Sequence, residues 1–421
     1  MTDTIPQTST AKDSRTALLL KLATAFVVPL FFVIAFPLLF VGAIHNPTPN
    51  NLSLLVVGPD EVVSGITDGL DTSDEFAATH TDVEGEAKSS VEQRSVMGAI
   101  EIAPTATETE SVDAPAFTVT TFVASAEGAS VAAAVRAVGA DVADELGVSS
   151  TEIDVAPLDS QDPLGSNLFS LLTYTSLSAY LVIIVLMQVL PGAKLRIRYA
   201  AVGVAAIVAP LMVFGLSSIF VGDYGASFGT IVALLGVNTL YVFTVGAAAV
   251  LIEQFLGKMA TIGIMGFIVL LNFPSSGGPT PAALLPSFWQ SIHNFYFGAG
   301  AYESFRSIIY FDGSGAQRWI LQLAGWTVGL VMVTVIVHLS RKVFALRTQV
   351  TDLTSLATAA LPSTVIPTPA TPATAASAEH TANEKKHVKH VKHEIYEVAV
   401  HPDRHEPIPP RALTSGEGVT R

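Results

Sequence analysis

The 421-residue chain contains no cysteine, which excludes disulfides, thiolate metal sites and thiol catalysis and leaves the redox compartment open. Charge is also scarce. Only 14% of residues are Asp, Glu, Lys or Arg while 50% are hydrophobic, against the ~25% charged residues of ordinary soluble domains. No GxxxxGK[ST] phosphate loop occurs, the lone Gly257-Lys258 pair having no glycine-rich loop before it. HExxH and kinase-type sets are likewise absent. Ser, His and Asp show no triad spacing, so the chain is not read as an enzyme and no cofactor is expected. A proton relay through a bilayer needs ionisable groups inside the apolar runs. The polar groups there are Asn238 and a few Ser and Thr, with Gln188, Glu253 and His338 near run ends.

What the chain has in quantity is long apolar runs. A helix needs about 20 apolar residues to cross the ~30 Å hydrocarbon core. Residues 22–44, 168–190, 199–221, 227–252, 256–273 and 319–339 are the candidates, the fifth being the shortest. The first run is longer than the ~7–15 residues of a signal-peptide core and has no clear cleavage site, so it reads as an uncleaved span. Between residues 46 and 165 stand 22 Asp and Glu against Lys88, Arg94 and Arg136, which leaves the remainder net positive although the chain totals −14. An acidic polar domain offers no phosphate-binding face, so nucleic acid is not an expected partner. Lys12, Arg15 and Lys21, then Lys194, Arg196 and Arg198, then Lys258, then Arg341, Lys342 and Arg347 all fall on one side of a six-span chain. The positive-inside rule makes that side the cytoplasm.

The expected fold is therefore an α-helical polytopic membrane protein of six transmembrane helices, with a small α/β extracellular domain between helices 1 and 2. Its parts are a cytoplasmic N-terminus (1–16), transmembrane helix 1 (17–45), the extracellular domain (46–165), five further spans (166–345) and a disordered cytoplasmic tail (346–421). Both termini lie in the cytoplasm of a multi-pass plasma-membrane protein.

Within the acidic domain, the short apolar run at 52–57, ended by Gly58-Pro59, and the runs at 76–81, 96–102, 117–124 and 152–157 read as strands, 117–124 alternating and half-buried. Helical spacing at 60–70, 84–95 and 130–146 reads as helices. Val62, Ile66 and Leu70 mark the buried face of the first helix, and Val131, Val135, Val138, Val142 and Leu146 that of the third. The tail begins with a Thr/Ala/Pro-rich stretch unable to bury a core. It continues as KKHVKHVKHE, where His387, His390 and His393 recur every third residue. That spacing admits a zinc or nickel site. The competing reading is a solvated basic tail near anionic headgroups.

Residues 272–313, between the fifth and sixth runs, read NFPSSGGPTPAALLPSFWQSIHNFYFGAGAYESFRSIIYFDG. Ser275-Ser276-Gly277-Gly278-Pro279 breaks a helix, and Phe288, Trp289, Phe295, Tyr296 and Phe297 suit an interfacial belt. An extracellular re-entrant hairpin over 274–313 is the economical reading, its broken backbone buried by protein. Glu303 and Arg306 stand at i, i+3 on a short helix and can pair.

The hairpin resembles the last extracellular hairpin of ABC-type exporter permeases, especially the phage-infection-protein branch of actinobacterial type. Ser275, Ser276, Gly277, Gly278, Leu285, Pro286, Trp289, His293, Tyr302, Arg306 and Gly313 match that pattern. So do GAIEIAP at 98–104 and the plan of one span, a large domain, then five spans. The resemblance implies a homodimeric permease in the lipid bilayer, exporting an amphiphilic or cell-envelope compound with a separate ATPase subunit. It also implies a gate at Ser275, Ser276, Gly277, Gly278, Pro286, Trp289, His293, Tyr302, Glu303 and Arg306. Two features depart from the pattern. The loop at 191–198 is too short for an ATPase-docking helix of two turns, and Gly298-Ala299-Gly300 stands where a proline often does. The alternative is a non-transporting membrane scaffold or surface-binding protein whose domain engages envelope components.

Overall fold

The computed structural model describes residues 10–45, 47–105 and 117–360. They fall in two compact units, Met1–Asp352 and Leu353–Arg421, of which the second is described only through residue 360. Helix α1 (Thr10–Phe36) continues through a π turn at Pro37–Val41 to Ile44. Pro37 has no N–H for the helix ladder and its ring crowds the preceding turn, which the wider π turn accommodates.

The α/β domain follows. Its strands are β1 (Leu52–Val57), β2 (Phe76–Thr81), β3 (Gly98–Pro104), β4 (Phe117–Val123) and β5 (Ser150–Asp154). They form one sheet in the order β2-β1-β3-β4-β5, with β3 and β4 antiparallel and every other pair parallel. The register places Leu52 opposite Phe76, Leu54 opposite Gly98 and Ala99 opposite Phe122. Helices α2 (Asp60–Leu70) and α4 (Ala129–Leu146) cover one face, and α3 (Glu86–Glu92) covers the other. Leu54, Val56, Ile100, Val119 and Val123 point to the first face, and Leu55, Val57, Ala99 and Phe122 to the second. Strand β4 is half-buried over its first four residues, with Thr118 exposed and Val119 buried, and buried on both sides only from Thr121 to Val123. The buried centre of α2 is Val63 and Thr67, flanked by partly buried Val62, Ile66 and Leu70. Valines 131, 135, 138 and 142 of α4 are buried as spaced. Gly98 and Gly139 let α4 sit close on the sheet: a Cβ would lie 2.5 Å from Val135 at the first and 2.0 Å from Thr121 at the second.

Asp162 directs the chain out of this domain. Its carboxylate accepts the backbone N–H groups of Ser166 and Asn167 at 3.0 Å each. Those are orphan donors at the start of α5 (Asn167–Val189). Helices α6 (Leu195–Val221) and α7 (Phe228–Leu256) complete an antiparallel trio with α5. Helix α8 (Ala260–Ser275) follows, then α9 (Ser287–His293), α10 (Phe297–Tyr310) and α11 (Ala316–Ala360). Among the described residues, five helices are long and apolar enough to cross a membrane: Phe26–Ile44, Asn167–Val189, Leu195–Val221, Phe228–Leu256 and Ala316–Ser355. Only 17% of the most apolar stretch of α6 is buried within the chain, so its apolar side chains need lipid as their solvent. The chain is a multi-pass membrane protein.

The run at 256–273, expected as a fifth full span, forms the shorter α8. Gly257, at φ +53°, ends α7 and a 3-10 turn delays the next helix to Ala260. Residues 265–271 then take a π conformation, where Pro274, lacking an N–H, leaves the ladder one donor short. Within the widened turns the Tyr296 hydroxyl donates its hydrogen to the Phe267 carbonyl at 2.6 Å.

The trio packs around α7. Val245 through Val250 are buried, and a Cβ on Gly246 would meet Val202 of α6 at 2.4 Å. Buried polar groups are cross-linked: Thr175 donates to Asn238 Oδ1 at 2.9 Å, and Asn272 Nδ2 donates to the Tyr241 hydroxyl at 2.8 Å. Arg198 pairs with Glu253 at the far end of α6 and α7. Trp289, Tyr296 and Phe297, expected at an interface, are instead buried, while Phe288 and Phe295 are exposed. Phe297 sits among Tyr241, Phe267 and Trp326. The aromatic-rich sequence thus serves the bundle core more than a belt.

Candidate functional site

The hairpin and the α/β domain share one packed body. Ala283 and Leu284 extend the apolar core on one face of the sheet, and Phe311 extends the core on the other. The chain before β1 is held as well. Asn50 donates its N–H to the Ala283 carbonyl at 2.8 Å, and Gln290 Nε2 donates to the Asn50 carbonyl at 2.8 Å.

Between these apolar seams lies a cluster of four charges. Glu303 and Arg306 come from α10, whose residues from Phe297 to Ile308 are all buried. Arg94 and Glu127 come from the α/β domain. Arg94 lies just past α3 at φ +59°, a conformation that turns the chain sharply, and Glu127 sits in the 3-10 turn before α4. Arg94 forks onto Glu127 (Nε to Oε1 2.5 Å, Nη2 to Oε2 3.0 Å) and also donates from Nη2 to Glu303 Oε2 at 2.6 Å. Its Nη1 donates to Ser307 Oγ at 2.6 Å and to the Glu303 carbonyl at 3.1 Å. Arg306 Nη1 donates to both Glu303 oxygens, 2.9 and 3.0 Å, and to Glu127 Oε2 at 3.3 Å. Its Nη2 reaches the Gly277 carbonyl at 3.3 Å. The guanidinium of Arg94 lies 5.0 Å from the Phe311 ring and that of Arg306 4.8 Å from Tyr302, each a favourable cation–π contact.

No side chain of the four is more than 9% exposed. Burial alone would push the Glu303 carboxyl up, but Arg306 and Arg94 overcome it and hold the group at about 2. Burial likewise works against charged Arg94, and Glu127 and Glu303 outweigh it, so its pKa rises. Two cations and two anions leave the cluster neutral, the condition for burying charge at tolerable cost.

His293 borders the cluster. Its Nδ1 lies 2.8 Å from the Ser275 carbonyl, which can only accept, so Nδ1 carries the proton. Nε2 faces Glu303 Oε1 at 3.9 Å. Burial lowers the imidazole pKa more than Glu303 raises it, and the ring is neutral at pH 7. Gly277 makes the close approach possible: it takes φ +86°, and a Cβ there would stand 2.9 Å from Glu303 Oε1 and 3.0 Å from His293.

Ser275, Gly277, His293, Tyr302, Glu303 and Arg306 thus meet in one place, with Glu303 and Arg306 paired at i, i+3. Four other expected residues lie elsewhere. The Ser276 hydroxyl donates to the Phe273 carbonyl, and Gly278 admits Phe169, whose ring would lie 2.2 Å from an added Cβ. Pro286 opens α9, and Trp289 packs with Leu285 and Ala43 near the end of α1. Gly298 and Gly300 have their own reason. A Cβ on the first would meet Asn272 Oδ1 at 2.0 Å, and one on the second the Trp319 carbonyl at 3.1 Å.

Arg94, Glu127 and Ser307 are the partners sequence reading misses. Arg94 carried a signal, being one of three cations in an acidic stretch of about 120 residues; Glu127 carried none. Residues 225–229, GASFG, match a G-x-S-x-G nucleophile pattern. Ser227 there accepts the Thr230 N–H at 3.1 Å as the N-cap of α7, between two helices rather than after a strand. Among the described residues no group of three or more His, Asp or Glu is placed to hold a metal ion. His387, His390 and His393 lie outside the described residues.

A second feature is an apolar groove of about 730 Å³ along the membrane helices. Leu251 of α7, Phe267 of α8, Phe295, and Trp326, Leu330 and Val333 of α11 line it, with Asn294 and Gln322 as its polar positions. Arg318 Nη2 donates to Asn294 Oδ1 at 3.3 Å.

No known protein family, curated protein or solved structure matches the chain.

Proposed function

We propose that this chain is the membrane subunit of an exporter for an amphiphilic or cell-envelope compound. It acts as a dimer with a separate ATPase and has no enzymatic activity of its own. The observation that supports this reading is the lateral apolar groove with polar groups at Asn294 and Gln322, a shape and chemistry suited to a hydrocarbon chain with a polar head. In this reading α8 is a sixth, short span that crosses with the hairpin's help. The α/β domain and hairpin lie outside the cell, and both termini lie in the cytoplasm on the strength of the basic clusters. The charge cluster then acts as a joint, transmitting movement of α10 to the α/β domain as one rigid body.

A second reading, a membrane scaffold whose α/β domain binds envelope components, is favoured by the connection between α5 and α6. Those helices end at Val189 and begin at Leu195, which leaves no room for a helix that docks on an ATPase. Affinity purification of the tagged chain from its native membrane in mild detergent, read by mass spectrometry and an ATPase assay, separates the two. A stoichiometric nucleotide-binding partner whose ATPase activity depends on this chain is the expected result. Recovery of envelope proteins alone overturns the exporter reading in favour of the scaffold.

A further inference from the structure

Helix α11 is far longer than a membrane requires. Its 45 residues extend about 67 Å at roughly 1.5 Å per residue, against a hydrocarbon core of about 30 Å. The apolar run 319–339 accounts for the crossing, and Arg341, Lys342 and Arg347 mark the exit. Beyond that point lipid tails no longer solvate side chains, yet the helix continues to present apolar ones.

Their spacing is regular. Ile336, Val343 and Val350 recur every seven residues, and Leu339, Leu346 and Leu353 follow each by three. These are the a and d positions of three successive heptads, with β-branched residues at a and leucine at d, the combination that favours two parallel strands. Their relative exposure runs from 50% to 67%. An apolar seam that starts inside the bilayer and continues into water calls for a protein surface of the same period.

We propose that α11 pairs in parallel with α11 of a second copy of this chain, through these six positions, as a two-stranded coiled coil running from the bilayer to beyond Leu353. Copies inserted in one orientation bring the helices together in parallel, the arrangement the a/d residues specify. Lys342 stands at g and Arg347 at the following e, positions that face each other across a parallel pair. As like charges they weaken the association and keep it adjustable. The inference rests only on the dimeric part of the proposed function and does not require transport.

Because the chain has no cysteine, single cysteines report on the seam without background. The test is oxidative cross-linking of the full-length chain in native membranes, with Leu346→Cys or Leu353→Cys on the seam and Thr348→Cys on the opposite face. Disulfide-linked dimer is expected at 346 and 353 and at least tenfold less at 348. Arg347→Glu, combined with Leu346→Cys, turns the g–e repulsion into two attractions per dimer and is expected to strengthen association roughly fivefold. No dimer at 346 and 353, equal yield at all three sites, or weaker association with Arg347→Glu overturns the pairing. Cross-linking that appears only after residues 361–421 are deleted also overturns it, by showing that the chain's own tail covers the seam. None of these outcomes depends on an ATPase partner, so failure of the pairing and failure of the exporter reading are read separately.

Discussion

Replacing Glu303 with Gln removes one charge from the buried cluster while keeping the side chain's shape, much as permanent protonation would. The carboxyl is held at about 2 instead of the ordinary 4.5, and each pKa unit is about 1.4 kcal/mol of preference for the charged form. The loss from Glu303→Gln is therefore about 3 kcal/mol. That agrees with the 3–5 kcal/mol typical of breaking a buried ion pair from one side. The cause is specific: Arg94 and Arg306, both buried, are left sharing Glu127 alone. Glu303→Gln/Arg306→Gln restores neutrality and loses less than the sum of the single variants, by roughly 1–3 kcal/mol. Lys88→Ala, which breaks an exposed pair with Glu92 at 3.6 Å, costs at most about 0.5 kcal/mol and serves as reference. The assay is thermal unfolding of the full chain in detergent, followed by tryptophan fluorescence and retained monodispersity. A fall of about 6–12 °C is expected for Glu303→Gln, at roughly 2–4 °C per kcal/mol. A fall no greater than that of Lys88→Ala, or strict additivity in the double variant, would refute the reasoning.

The same carboxyl sets a pH dependence. Its folded pKa lies below the unfolded value, so its contribution is fully present above pH 4.5 and is lost as pH falls from there toward about 2; Tm measured down this range should drop less in Glu303→Gln than in the parent chain. His293 is also lowered by burial, so its stabilisation is lost as pH falls below 6.5, and His293→Gln should flatten the Tm profile from that point downward. Gly298→Ala places a Cβ 2.0 Å from Asn272 Oδ1 and is expected to cost about 1–3 kcal/mol by overpacking. At Gly329, where nothing lies within 4 Å of an added Cβ, alanine should be neutral or stabilise by up to about 1 kcal/mol, as thermal unfolding of the two variants will show. Arg306→Ala should reduce abundance of folded chain in membranes far more than Lys88→Ala, measured by quantitative fluorescence size exclusion.

Most of the α/β domain was legible because local pattern and final environment agree there. The limits of β1, α2 and β2 follow from a short apolar run and helical spacing bounded by Gly58-Pro59 and Asp-rich turns. The burial of the end of β4 on both faces was not, since Phe122 looks like a simple strand end until α3 and Phe311 close the second face. The apolar run at 256–273 misled for a related reason. Hydropathy measures composition, whereas Gly257 and Pro274 decide where a helix starts and how its turns widen.

The charge cluster shows what a single sequence conceals. Glu303 and Arg306 are three residues apart and their pairing is local geometry, but Arg94 and Glu127 reach them across separations of 209 and 179 residues. No spacing rule connects such positions; only the docking of the hairpin onto the sheet does. The seams that make that contact, Ala283 and Leu284 on one face and Phe311 on the other, are small and apolar, and apolar contacts tolerate sliding. Four charges that must each find two or more partners at 2.5–3.3 Å do not. Their net worth against apolar replacements is small, while displacement by a single hydrogen-bond length leaves a buried charge unpaired. The cluster therefore contributes less to how strongly the domain is held than to where it is held.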